Sequence, residues 1–150
     1  MTGQDEYDRL LLENQLCFPL YACSKEVVGA YRPYLDDLDI TYTQYISLLV
    51  LWEHGSYSVK ELGTRLFLDS GTLTPVLKSL ESKGLVKRER SKEDERSVIV
   101  TVTPEGYALR DRALSIPEKV GCRIRLEPNE AVELYRLLNK VLDGMESCEK

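Results

Sequence analysis

The 150-residue chain has a single histidine, His54, no Cys-x-x-Cys pair, and no apolar run near the roughly 18 residues that a membrane helix needs. Each absence removes a class of function. Tetrahedral zinc recruits closely spaced Cys or His ligands, and here a site would have to be assembled from distant cysteines and carboxylates. No metal and no other cofactor is therefore expected. The opening MTGQDEYDR is polar and acidic, without the basic start and apolar centre of a secretory signal. A cytoplasmic protein with no membrane contact is the expectation. Four cysteines, Cys17, Cys23, Cys122 and Cys148, are too few and too scattered for a disulfide framework. In a reducing compartment they rest as thiols. Internal repeats and low-complexity tracts are also absent.

A net charge of −5 argues against nucleic acid until it is divided along the chain. Between Lys60 and Arg96 stand nine basic and seven acidic residues, a surplus of two, so the remainder carries −7. Phosphate attraction follows the local patch, and an acidic remainder limits unspecific adhesion. The balance permits DNA binding without requiring it.

Apolar residues at spacings of three and four from Leu10 to about Leu38 predict a long amphipathic helix. Pro19 is expected to kink or divide it, and Pro33 to bend or end it. Thr43 can cap a second helix, Gln44 to Glu53, stopped by Gly55. Ser58-Val-Lys-Glu61 fits a capping box for a short third helix ending near Leu66. Asp69 or Ser70 can cap a fourth that runs to about Lys83, with its start left open between Ser70 and Thr74 because of Pro75. Leu85–Arg90 and Ser97–Val102 read as a hairpin with a charged tip. Thr103-Pro104-Glu105 starts a fifth helix to about Ser115, with continuation past Pro117 left open, and Pro128 begins a sixth.

This order spells a winged helix-turn-helix: a mainly α fold with a small β-hairpin wing, in one domain over residues 1–150. The winged part spans about 43–103. The terminal helices, about 8–38 and 104–147, have spare apolar faces that suggest a dimerisation region. A monomeric bundle with one hairpin is the plainer reading, but it leaves the charged tip without a purpose. In a helix-turn-helix the second helix enters the major groove by its N-terminal residues, here Ser70, Gly71, Thr72, Leu73, Thr74 and Pro75, with Lys78 one turn on placed for a phosphate. In the wing, Lys87, Arg88, Arg90, Lys92 and Arg96 crowd one hairpin. Asp94, two residues before Arg96, can brace that arginine for an A·T-rich minor groove.

Five strings, Leu12-Glu-Asn-Gln-Leu-Cys-Phe18, Tyr31-Arg-Pro33, Thr41-Tyr-Thr-Gln-Tyr45, Leu68-Asp-Ser-Gly-Thr-Leu-Thr-Pro75 and Asp94-Glu-Arg96, span nearly the whole chain. Together they resemble the MarR family of repressors, and most closely its organic hydroperoxide sensor (OhrR) branch. The resemblance implies a homodimer on a palindromic double-stranded operator, with Ser70 to Pro75 on the recognition helix and Arg96 in the wing. It makes Cys17 the peroxide-sensing thiol, with the hydroxyls of Tyr31 and Tyr42 reaching it across the dimer. Some members resolve the sulfenic acid with a second cysteine from the other subunit. Cys122 lies in the matching region, with Cys148 as the rival and an external small thiol as the third route. Several relatives carry a second basic residue where this chain has Ser79, which leaves one DNA contact open.

Two other regulators of the same fold stay open: one that answers a small phenolic or antibiotic ligand, with Cys17 incidental, and one that reads oxidation in general. A thiol peroxidase is a different class. The missing α/β pattern, the missing Cys-x-x-Cys and the basic wing speak against it, so no enzyme is expected.

Overall fold

The computed structural model describes residues 4–148, with side chains from Glu6 to Glu146. Eight helices and three strands follow in the order α1 (Gln4–Tyr7), α2 (Cys17–Asp36), α3 (Tyr42–His54), β1 (Ser56–Ser58), α4 (Val59–Leu66), α5 (Ser70–Ser82), β2 (Val86–Arg90), β3 (Val98–Val102), α6 (Pro104–Ala113), α7 (Ile116–Ile124) and α8 (Pro128–Cys148). No helix among the described residues is long and apolar enough to cross a membrane.

The long first helix is shorter than the apolar spacing predicts. Asp8–Leu10 and Leu12–Asn14 form two tight 3-10 turns instead. The Gln15 side-chain amide donates to the carbonyls of Arg9 and Leu11 at 2.5 and 3.2 Å, and Asn14 donates to that of Asp8 at 2.7 Å. These bonds compete with the helical ladder. Pro19 then falls in the first turn of α2, where a missing N–H costs nothing, so it neither kinks nor divides the helix. Pro33 does not end α2 either, which runs three residues further.

Helix α3 starts earlier than expected because Thr41, rather than Thr43, is its cap. Thr41 Oγ1 accepts the Gln44 N–H at 3.3 Å, and Gln44 Oε1 accepts the Thr41 N–H at 3.0 Å, a full capping box. Gly55, at φ 80°, closes the helix in the left-handed conformation that suits glycine. The capping box at Ser58 and Glu61 starts α4 as the sequence predicts. Asp69 caps α5, which begins at Ser70 despite Pro75 in its sixth position.

β2 and β3 form the expected hairpin, Val86 facing Val102 and Arg90 facing Val98. The three-residue β1 is an addition, pairing antiparallel with β3 through Ser56 and Thr101 to give the order β1-β3-β2. After the wing, α6 covers nearly the expected fifth helix, and the stretch past it, whose continuation the sequence leaves open, forms a separate helix, α7, with Pro117 in its first turn.

The core is built around α3. Leu48 and Leu51 are wholly buried against Leu35 of α2, Leu62 of α4, Leu73, Leu77 and Leu80 of α5, and Val100 of β3. The chain ends behave differently. Leu10 and Leu16 are 75% and 78% exposed, and along α8 Val132, Tyr135 and Met145 are 70%, 73% and 67% exposed. An apolar stripe of that extent is stable in water only when another surface covers it.

The start of α6 is one of the tight junctions between the wing and the core. Thr103 Oγ1 donates to the Gly84 carbonyl at 2.6 Å and accepts the Gly106 N–H at 3.1 Å, while Trp52 Nε1 donates to the Gly106 carbonyl at 2.9 Å. A Cβ at Gly106 would overlap the Leu85 carbonyl oxygen and lie 2.8 Å from Val102 Cγ1. Gly106→Ala should therefore cost about 1–3 kcal/mol through overpacking. Thermal unfolding followed by circular dichroism should show a midpoint lower by roughly 2–10 °C. A midpoint unchanged within about a degree would mean that the α6–wing junction yields freely.

Candidate DNA interface and thiol site

The face that the helix-turn-helix offers to solvent is set by the period of α5. Leu73, Leu77 and Leu80 point into the core, leaving Gly71, Thr72, Pro75 and Lys78 exposed, with Ser70 exposed beside them and Thr74 half-buried. Asp69 Oδ1 accepts the Thr72 N–H at 2.7 Å, and Oδ2 accepts the Thr72 hydroxyl at 3.2 Å. The Thr72 amide holds the Asp69 carboxyl below its ordinary range, so this cap stays ionised. A groove of about 740 Å³ separates this helix from the wing. Lys60, Ser70, Thr74 and Arg96 line it, and Glu146 of α8 stands at its rim. Lys60 was not among the contacts read from the sequence, because a lone lysine in a capping-box helix carries no distinguishing pattern.

The five wing cations are not equivalent. Arg88 gives its Nε and Nη2 to Glu81 Oε2 at 3.0 and 2.9 Å, while its backbone N–H goes to Oε1 at 3.0 Å. Arg88 thus joins α5 to the wing, and Glu81 is the residue that sequence reading missed there. Lys87 pairs with Glu89 at 2.7 Å. Arg90 Nη1 donates to the Glu95 carbonyl at 2.9 Å and shapes the tip. Asp94 accepts the backbone N–H of Arg96 at 3.0 Å, so it fixes the chain at Arg96 and not the guanidinium. Among the described residues the side chains of Arg96 and Lys78 have no hydrogen-bond or ion-pair partner, and both are exposed.

Ser79 is half-buried and faces the protein. Its hydroxyl oxygen accepts Gln44 Nε2 at 2.9 Å. This side chain therefore points at α3.

Cys17 is the first residue of α2, exposed and unbonded, at the positive end of the helix dipole. Tyr31 and Tyr42 pack together with ring centroids 5.1 Å apart, and Tyr45 completes the cluster at 5.6 and 6.3 Å. Burial pushes the phenols of Tyr31 and Tyr42 up, and that of Tyr45 up to about 12, so all three remain hydroxyl donors at neutral pH. The structure brings the two predicted tyrosines together but not with Cys17 of the same chain. Fourteen residues of helix separate Cys17 from Tyr31, roughly 21 Å along the axis.

Cys122 is exposed on α7, which packs along α2. Cys23 is exposed too and borders a groove between these helices with Val27, Val120 and Arg123. The side chain of Cys148 lies outside the described residues.

Residues 30–112 match the model of the transcriptional regulators SarA/Rot. The organic hydroperoxide resistance transcriptional regulator of Bacillus subtilis (strain 168) is 54% identical over 147 residues, 98% of either chain. Among solved structures, reduced AbfR bound to DNA, the protein of Staphylococcus epidermidis, matches with a TM-score of 0.80 at 33% identity, over 97% of this chain and 99% of that one. Disulfide-formed AbfR matches with a TM-score of 0.63 at 35% identity, over 94% and 99%. Wild-type MarR of E. coli matches with a TM-score of 0.67 at 28% identity, over 85% of this chain and 96% of that one. Helix-turn-helix, wing, tyrosine cluster and these likenesses agree, and the chain belongs to the SarA/Rot and MarR-type winged-helix transcriptional regulators, in the branch of the organic hydroperoxide resistance regulators.

Proposed function

We propose that the chain is a homodimeric repressor that binds a palindromic operator when reduced and releases it when an organic hydroperoxide oxidises Cys17. The observation that carries this reading is the separation of Cys17 from its own tyrosines, in a chain whose two ends leave apolar stripes uncovered. A second copy answers both. It covers Leu10, Leu16 and the α8 face, and it can bring its own Tyr31 and Tyr42 to the first copy's thiol. The oxidant class follows from the B. subtilis relative. The greater likeness to reduced AbfR on DNA than to disulfide-formed AbfR, at nearly equal identity, supports the described conformation as the DNA-competent one.

In the chemistry, the tyrosine hydroxyls donate to the Cys17 thiolate and hold it for attack. The sulfur takes the terminal oxygen of the peroxide: an S–O bond forms, the O–O bond breaks, and the organic half leaves as its alcohol after taking a proton. The product is a sulfenic acid, which a second thiol converts to a disulfide with loss of water. Phe18 and the neighbouring leucines favour a peroxide with an organic tail. One peroxide is consumed per thiol, without turnover, so the chain acts as a sensor and not as an enzyme.

On DNA, Ser70, Thr72, Thr74 and Pro75 meet the major groove with Lys78 on a phosphate, and the Arg96 guanidinium enters the minor groove. Arg88, Arg90 and Asp94 act by holding the wing in shape. A second reading takes the apolar groove of about 290 Å³ between Tyr45, Leu49, Trp52 and Leu114 as a site for a small phenolic effector.

A duplex selected from a randomised pool against the reduced protein serves as the binding probe. Cumene hydroperoxide at about one equivalent per Cys17 should abolish the complex. Cys17→Ser should bind equally well and ignore the oxidant. Release by a phenolic compound alone would replace this reading with the second one. Arg96→Ala should weaken binding about tenfold, and an unchanged affinity would remove the wing from the interface. After oxidation, non-reducing electrophoresis should give a covalent dimer that is absent in Cys122→Ser. Its persistence in that variant would assign the second thiol to Cys148.

A further inference from the structure

The Gln44 side chain is one of two buried polar groups in the described core, and it uses both ends of its amide. Its oxygen accepts the Thr41 N–H and so caps α3, and its nitrogen donates to Ser79 on the recognition helix. Gln44 lies two residues after Tyr42, in the same first turn. That turn therefore carries a cluster tyrosine on one side and a bond to α5 on the other.

A second tie lies nearby. Lys83, which follows the last residue of α5, donates to the Asp39 carbonyl and lies 3.5 Å from its carboxylate. Asp39, at φ 54°, is the residue at which the chain leaves α2 and turns toward α3. A third bond, Arg112 Nη2 to the Asp37 carbonyl at 3.0 Å, fixes the other side of this corner to α6. The C-terminal half of α5 is thus held at two points to the corner between the tyrosine-bearing helices.

We propose that Gln44–Ser79 and Lys83–Asp39 are positioning contacts that couple the tyrosine cluster to the recognition helix, so that a displacement of Tyr42 is carried to the DNA-reading face. The inference rests on the peroxide-sensing reading above and names the parts that carry its signal. The bonds suit that task because they are directional. Hydrogen bonds weaken steeply as their angle falls, so the first turn of α3 cannot rotate without either pulling Ser79 or losing it. The apolar contacts of Leu48 and Leu51 against α5 are non-directional and tolerate such a rotation. Ser79, on the inner side of α5, can act on DNA only by moving the helix.

The experiment uses the full-length dimer and the selected duplex, and compares affinity before and after complete oxidation of Cys17 verified by mass spectrometry. The readout is the ratio of oxidised to reduced dissociation constants. In Ser79→Ala the reduced affinity should stay within about threefold of the original. Cys17 should oxidise at its normal rate, and the ratio should fall by at least about threefold. Ser79→Thr keeps the hydroxyl and should restore the ratio. A purely structural role for Ser79 would lower the melting temperature and leave the ratio where it was, and that result would overturn the coupling. If Ser79→Ala does not fold, Lys83→Met decides by the same measurement, and an unchanged ratio again overturns it. Failure of the sensor reading is separately visible, because the unmodified protein would then keep its duplex with Cys17 fully oxidised.

Discussion

The burial of α3 is the constraint on which the rest of the molecule depends. Leu48 and Leu51 are fully enclosed, and around them converge α2, α4, α5, α6 and β3. Both of its ends are closed by the chain itself, the first by the Thr41–Gln44 box and the last by Gly55. Each closure also positions something else. Gly55 accepts the Val102 N–H at 2.9 Å and so attaches the sheet, and Gln44 reaches Ser79 and so attaches the recognition helix. The DNA-reading elements are therefore hung from the two ends of one buried helix, whose first residue is a cluster tyrosine.

This arrangement divides the charged residues into two kinds. Glu81 with Arg88, Glu53 with Arg65, and Lys83 with Asp39 join neighbouring elements. Exposed pairs of this sort contribute little to stability. Their value here is geometric, because Arg88 fixes the wing relative to α5 by three bonds. Among the described residues the side chains of Arg96 and Lys78 have no protein partner, and both are exposed. A DNA-binding surface needs both kinds, since a cation already committed to a carboxylate gives up part of its attraction for phosphate. The count of basic residues in the wing therefore overstates the charge available to DNA, and the net surplus of two between Lys60 and Arg96 is the closer guide.

What the sequence made legible is what local chemistry decides. The boxes and caps at Ser58, Asp69 and Thr103 and the stop at Gly55 follow from side-chain reach within four residues, and they place α4, α5, α6 and the hairpin correctly. Misreadings arise where two local choices compete or where a partner is remote. Thr41 and Thr43 both offer a capping hydroxyl, and only the Gln44 amide decides between them. The apolar spacing at Leu10–Leu16 reads as helix, but the Asn14 and Gln15 amides take the carbonyls that a helix needs. β1 is three residues long and exists because β3 lies beside it some forty residues on. The role of Ser79 stays open in the sequence, because its partner Gln44 lies 35 residues away. The proposed pairing of Cys17 with Tyr31 and Tyr42 is legible only by resemblance, since within one chain Tyr31 lies roughly 21 Å along the helix that Cys17 begins.

The energies involved assign a division of labour between the thiol and the contacts below it. Shifting a regulator from 99% bound to 99% free demands a differential of about 5.5 kcal/mol between its two states. A neutral hydrogen bond contributes about 0.5–1.5 kcal/mol net, so Gln44–Ser79 cannot be the source of that difference. The source has to be covalent. In the proposed dimer a sulfenic acid adds an atom beside the tyrosine hydroxyls of the second copy, and a disulfide brings two Cα atoms within about 7 Å whatever the cost to the surrounding packing. Sulfur chemistry of this kind can drive several kcal/mol of rearrangement, but it acts at the far end of α2 and leaves DNA untouched. Between it and the operator stand the tyrosine cluster, the first turn of α3 and two directional bonds to α5. Weak contacts suffice there, because their task is to make one displacement and the other the same event.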